Sequence, residues 1–481
     1  MSTGELRPVL RVTPLSSEAT VAPLGATRSV GPAVVVWGVW LAALAGALFY
    51  VAHYANDLPH RDEWRIVSVA TNGCPREPKW FLAPNNEHRI PLPKAVYCAL
   101  MAVSGGDFRA GTLLSVAMFG AVAAGLMIAV SRFRGRVAVQ DAFFPLLLLH
   151  WGHGESFLLS FQIAFTIPVA LAAAAAGVLL SDRARESLLV ASFVVACAVL
   201  MPWSSVVGLV LAPALVPWLV WSGRAAWRTG TKNARRIAFV LGSGAATSAA
   251  STAYLLLRLP RTDLPSPGFA ADVRVFADLV LNGLGPAAPH HPLLYGAFVV
   301  MLAVAILFLA VRELAAAPLE GRRAVGLLLL VGAVLALLAG LAHSRAGFST
   351  TVGAANRYVS IGALLYLGLF LLASLAPRAW AARLQIALAL LVLGAAPVDY
   401  ANGRELAADL SARIQPVFRD ARAGAPPAVL AERHGERLVS GASERWLARQ
   451  LSRMCTAQVG PYRFLRSGSA AVVGCGAARR S

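Results

Sequence analysis

The first polar stretch after the opening apolar run reads Asp57-Leu-Pro-His-Arg-Asp62-Glu63-Trp64. A Cys/Pro segment separates it from Asn85-Asn86-Glu87-His88-Arg89-Ile-Pro-Leu-Pro. Carboxylates, imidazoles and guanidinium groups crowd together here, in a chain that is 57% hydrophobic and only 14% charged. A carboxylate beside an acceptor can take a hydroxyl proton, and an arginine can hold a phosphate through two parallel hydrogen bonds. Asp62 and Glu63 are therefore candidate bases, and Glu87, His88 and Arg89 are candidate ligand contacts at one membrane face. The same residues also fit plainer roles: solvated charge beside an interfacial Trp64, and a cap on a helix that begins at Pro91.

Further polar groups gather at the ends of later apolar runs. His150-x-x-His153-x-Glu155 has a spacing that a helix can turn toward one metal ion. Gly152 and Gly154 interrupt such a helix and a fourth ligand is missing, so no cofactor is expected; only the spacing speaks for a divalent metal. The competing reading is a polar cavity lining. Gln162, early in the following run, needs a polar partner in lipid and so faces protein or a cavity. Arg345 and the pair Arg357-Tyr358 flank a loop rich in Gly, Ser and Thr. The two arginines read as an anion clamp or as cations snorkelling to the interface.

The elements that must position these groups are membrane helices. Mean hydropathy is +0.64, and apolar runs recur at 31–54, 109–131, 140–152, 155–181, 187–202, 204–222, 237–257, 292–311, 324–342, 357–376 and 384–398. They predict an all-α, polytopic transmembrane helical bundle of about 11 spans. The runs lack the two-residue alternation of a membrane barrel. The opening run, Gly31 to His53, exceeds the about 7–15 residues of a cleaved signal's apolar core. Residues 140–152 are too few to cross straight and are expected to tilt or re-enter, while residues 91–106 predict a helix lying at the interface. The expected division is an N-terminal tail (1–30), a transmembrane domain (31–398) with an outward loop at 55–108, and a small soluble C-terminal tail (399–481).

Arginine sets the expected orientation. With residues 1–30 in the cytoplasm, the cytoplasmic segments collect Arg132, Arg134, Arg136, Arg183, Arg185, the cluster from Arg224 to Arg236, Arg312, Arg322, Arg323, Arg378 and Arg383. The opposite short loops hold few, so the loop carrying Asp62 and Glu63 faces outward. Such cytoplasmic anchors and an Arg-rich tail explain the net charge of +19, and no nucleic-acid partner is expected. An odd number of crossings puts the tail outside too, where Cys455 and Cys475 would be free to pair; five unpaired thiols is the alternative. The strong Arg and Ala bias suggests a GC-rich bacterial genome, hence a multi-pass protein of the bacterial cytoplasmic (inner) membrane with its N-terminus cytoplasmic.

An acidic pair just after the first span resembles the C-type (GT-C) superfamily of membrane glycosyltransferases, which includes protein O-mannosyltransferases and aminoarabinose transferases. A closer resemblance is to a group of bacterial multi-pass proteins of unassigned activity. Its elements are matched here by Asp62-Glu63-Trp64, Asn86 to Leu92, His150-Trp151…Glu155…Phe161-Gln162 and Arg357-Tyr358. The GT-C resemblance implies a first-loop carboxylate that activates the acceptor hydroxyl and a sugar delivered on a polyprenyl phosphate. The family's Asp-x-Asp in the second outward loop is absent here.

The implied function is transfer of a sugar from a polyprenyl-phosphate donor to a glycan, lipid or protein acceptor of the cell envelope. Asp62 or Glu63 would be the base, and Arg89, Arg345 and Arg357 would hold the phosphate. His88, His153, Glu155 and Gln162 would hold sugar hydroxyls or orient the base, with His150 and Tyr358 in the same lining. Membrane lipids and the apolar donor chain would occupy grooves between spans. Two rivals are an envelope-glycan polymerase or ligase, and a lipid-linked sugar flippase. The flippase would call for polar residues near the bilayer midplane, and the charges here sit at outer ends.

Overall fold

The computed structural model describes residues 30–85, 88–259, 267–316, 318–349, 351–439, 441–467 and 475. Among them it is all-α, with a single isolated bridge between Asn85 and His88 in place of any strand. The longer helices are α1 (Val30–Tyr54), α2 (Pro91–Ser104), α3 (Ala110–Arg134), α4 (Ile163–Ser181), α5 (Leu188–Leu200), α6 (Val206–Arg228) and α7 (Lys232–Leu256). They continue as α8 (Phe269–Asn282), α9 (Pro292–Ala316), α10 (Pro318–Arg345), α11 (Val359–Ala373), α12 (Arg378–Arg422), α13 (Pro427–Leu438) and α14 (Glu444–Ala457).

Among the described residues, eight helices are long and apolar enough to cross a membrane: α1, α3, α4, α6, α9, α10, α11 and α12. Their burial sorts them into layers. The apolar stretches of α4 and α11 are 83% and 89% enclosed, whereas those of α1 and α9 are only 22% and 28% enclosed. Helices apolar on every side can sit at the centre of a bundle or against lipid. Here α4 and α11 take the centre, while α1 and α9 present Val34, Leu41, Phe49, Val304 and Phe308 outward. This is a multi-pass membrane protein.

Between α3 and α4 the chain breaks into short pieces: a 3₁₀ turn at Val139–Ala142, helix Phe143–Leu148, a turn at Trp151–His153, helix Gly154–Leu158 and a turn at Ser160–Gln162. No piece is long enough to cross, and every turn exposes backbone that neighbouring helices must satisfy. The break packs where α1, α11 and α12 meet. There the Tyr50 hydroxyl donates to the Gly403 carbonyl at 2.6 Å, and a side chain at Gly403 would strike Trp151.

Three features depart from the elements read off the sequence. Residues 258–291, which lie between two of the apolar runs, contain the amphipathic helix α8, whose Val275 and Leu279 are buried. At its C-terminus Gly283 meets Gly362 of α11 backbone to backbone, leaving no room for a Cβ on either. Helix α12 does not stop near residue 398; it runs on to Arg422, because leaving an apolar environment ends an apolar run without ending a helix. Finally, the described residues after 399 pack against the first loop and do not form a separate appendage. Leu58, Trp64, Val67 and Phe108 of the first loop form one apolar core with Ile414, Val417, Leu430, Leu451 and Tyr462. Burying each of the larger of these side chains is worth about 1.5–3 kcal/mol.

That joint unit is also tied by polar and covalent links. Asp57 accepts from the Phe108 N–H at 2.9 Å and from Arg463 Nε at 2.6 Å. Cys74 is bonded to Cys98 and Cys455 to Cys475, leaving Cys197 as a buried thiol.

Candidate functional site

Where the first loop, the break before α4, the end of α10 and the start of α11 converge, they enclose a cavity of about 340 Å³. Asp62, His88, Gln162, Arg345, Arg357 and Tyr358, distant in sequence, all line it. Phe161, Phe165 and Phe348 supply apolar wall. Glu155 lies behind the cavity, 3.5 Å from Arg61 Nη1 and 3.9 Å from Arg357 Nε, so it holds these guanidinium groups from the protein side. Phe165 meets the His88 ring edge-to-face, and Tyr358 lies under the Arg357 guanidinium.

The turn that carries Asp62 is built by its neighbour. Glu63 is buried, and its carboxylate accepts the His60 N–H at 2.8 Å and the Phe161 N–H at 2.6 Å. One side chain thus closes the 3₁₀ turn Arg61–Ile66 and pins it to the Ser160–Gln162 turn. Burial pushes the Glu63 carboxyl up to about 8 against the pull of those backbone donors. The adjacent Arg61 adopts a left-handed backbone with φ of 49°, a conformation that costs a non-glycine residue about 1–2 kcal/mol. With Glu63 turned inward and Arg61 in this conformation, Asp62 is left facing the cavity. His60, beside it, is held down to about 4 by burial and by Arg61 and Arg413, so it is neutral at neutral pH.

The remaining sequence candidates lie elsewhere. Arg89 donates to the carbonyls of Leu82 and, at 2.9 Å, Arg258; it braces two loops and does not line the cavity. His153 is enclosed, with its Nε2–H donating to the Leu147 carbonyl at 2.9 Å and Phe119 and Phe157 against its ring. His150 accepts the Gly152 N–H at 3.2 Å and lies 3.6 Å from Asp399 Oδ2. His150, His153 and Glu155 therefore point to three different partners. Among the described residues no group of three or more His, Cys, Asp or Glu converges as metal ligands would. Glu87, with Asn86, lies outside the described residues.

Other polar residues, in and around the site, escaped the sequence reading. Asp399 is a buried carboxylate on α12 whose Oδ1 accepts the Ala287 N–H at 2.9 Å. Its signal was an acid one residue past an apolar run, in a helix that continues. Asn282 donates to the carbonyls of Gly353 (3.1 Å) and Ala355 (2.9 Å), fixing the loop that leads into Arg357. His60, Arg61 and Asn85 line the cavity and also a much larger groove of about 1130 Å³ between the first loop and helices α12–α14. Asp62 stands in the wall common to both.

No protein-family model matches this chain, and no curated protein or solved structure proves similar to it.

Proposed function

We propose that the chain is a membrane glycosyltransferase of the GT-C kind, moving a sugar from a polyprenyl-phosphate donor to a cell-envelope acceptor. The observation that carries this reading is the small cavity, where a carboxylate, Asp62, faces the same space as two arginines, Arg345 and Arg357. General-base transfer to a phosphate-linked sugar needs that pairing, a base at the acceptor and fixed cations at the leaving group. Asp62 takes the acceptor hydroxyl proton while its oxygen bonds to the anomeric carbon. The bond from that carbon to the phosphate oxygen breaks on the opposite face, giving inversion. Polyprenyl phosphate leaves with its charge on Arg345 and Arg357. His88 and Gln162 hold sugar hydroxyls, and Glu155 fixes Arg357 from behind. Glu63 shapes the turn and is not the base.

Counting α5, α7 and the broken segment with the eight long helices supports about eleven crossings. Disulfides in both the first loop and the tail support placing that face on the oxidising outer side of the bacterial membrane, with the N-terminus cytoplasmic. The test is a comparison of lipid-linked sugars and envelope glycans in a deletion strain and its parent. The donor should accumulate and one glycan should lose a sugar; unchanged pools of both would sink the proposal.

A further inference from the structure

The large groove beside the cavity has a chemistry of its own. Six arginines line it: Arg61 and Arg65 from the first loop, and Arg413, Arg437, Arg449 and Arg453 from α12, α13 and α14. Against them its lining holds two carboxylates among the described residues, Asp62 and Glu436. Trp80 and Trp446 also line the groove, each half-exposed, with one indole contributed by each side. Its volume of about 1130 Å³ exceeds the about 300–1,000 Å³ of most small-molecule sites. The walls are held in register by the shared apolar core, the Asp57–Arg463 pair and the Cys455–Cys475 bond.

We propose that this groove binds an acidic glycan chain and presents its end to Asp62. The inference rests on the glycosyltransferase reading and names the acceptor's class: sugars bearing carboxylates or phosphates. Three observations converge on it. Guanidinium groups give planar, paired contacts to such anions, and six on facing walls make a strongly positive trough. Flat aromatic faces suit the apolar face of a sugar ring, which charge alone does not require. The trough meets the donor cavity at Asp62, so a chain lying in it delivers a hydroxyl where the base stands.

The test uses the full-length protein in phosphatidylcholine nanodiscs, with a galacturonate hexamer, its fully methyl-esterified form and inorganic tripolyphosphate as probes. The free-acid hexamer should quench indole fluorescence and bind at least about tenfold more tightly than the ester, with affinity falling as salt rises. The double variant Arg449→Glu, Arg453→Glu should lose at least about tenfold of that affinity, because two exposed cations become repulsive. Affinity of the same variant for polyprenyl phosphate should be unchanged. Equal affinity for ester and acid in the wild type, where folding is not in question, would overturn the proposal. Displacement of the hexamer by tripolyphosphate at equal concentration would overturn it as well, since the groove would then read charge without sugar. Loss of hexamer binding when phosphatidylglycerol replaces phosphatidylcholine would make the groove a headgroup surface and equally end it. Hexamer binding with no polyprenyl-phosphate binding leaves the acidic-glycan site standing and removes the donor assignment instead.

Discussion

Arginine gathers at both ends of the helix bundle, and the two gatherings differ in what stands opposite. At the end away from the first loop, a pocket of about 910 Å³ is lined by Arg132, Arg134, Arg136, Arg183, Arg323 and Arg378, with no carboxylate in its lining among the described residues. At the other end, Arg345 and Arg357 share their cavity with Asp62. Each end also has a buried carboxylate behind its arginines: Asp141 at 2.9 Å from Arg134, and Glu155 at 3.9 Å from Arg357. A buried acid that braces a guanidinium is thus common to both ends and says nothing about chemistry. The distinguishing group is the carboxylate that faces the open space, since cations alone can hold an anion but cannot take a proton.

The sharpest way to break this contrast is to remove that carboxylate. Asp62→Asn should cut turnover by about 10²–10⁴, the usual cost of losing a general base, while polyprenyl-phosphate affinity stays. Arg136→Glu in the far pocket should leave turnover unchanged. Release of labelled polyprenyl phosphate measures both, and an active Asp62→Asn protein would dissolve the distinction.

Next in size is the difference between gripping and merely carrying charge. Arg357→Lys keeps the cation and loses the planar pair of donors, so turnover should fall by about 1.5–3 kcal/mol in transition-state free energy. Arg136→Lys should be silent, as for a snorkelling residue. Matching kinetics for the two lysine variants would show that Arg357 is also only an anchor.

Glu63 offers a smaller effect of a different kind. Glu63→Gln keeps one acceptor oxygen and turns the amide nitrogen, a donor, toward the other buried N–H, and should lower thermal stability by about 1–3 kcal/mol. The pH dependence has a definite sign. Native Glu63 titrates near 8 and the unfolded side chain near its ordinary 4.5, so between these values the unfolded state binds fewer protons. Stability contributed by this site therefore falls as pH rises from about 5 to about 8. A melting curve followed across that range should flatten in Glu63→Gln. An unchanged slope would assign the trend to another group.

The last test carries no energetic effect and sharpens only which end is outside. Ser349→Cys, exposed in the loop before Arg357, should react with an impermeant thiol reagent in intact cells, and Lys232→Cys at the far end should not. The reverse pattern would move the cavity to the cytoplasmic side.

Much of the architecture is legible from apolar runs, because crossing lipid demands a long stretch of one composition. Residues 31–54 and 109–131 correspond within three residues to α1 and α3. Legibility fails where lipid no longer dictates composition. Helix α8 is short and amphipathic, and the C-terminal half of α12 is polar on one side, so neither stands out in hydropathy. Within the site, types and spacing singled out Asp62, Gln162, Arg345 and Arg357 because polar groups at the ends of apolar runs are few. Hydropathy could not separate Asp62 from Glu63, since one residue's rotation in a 3₁₀ turn decides which faces the cavity. Nor could local pattern place Arg89, whose partner Arg258 is 169 residues away.

The ion pair between Asp57 and Arg463 has a temporal meaning as well as a spatial one. The two residues are 406 positions apart, so at about 5–20 residues per second the ribosome delivers the second about 20–80 s after the first. Throughout that interval the loop bearing Asp62 exists without the surface that covers Trp64 and Phe108. The nascent protein therefore waits for its last segment before the groove beside Asp62 has its far wall.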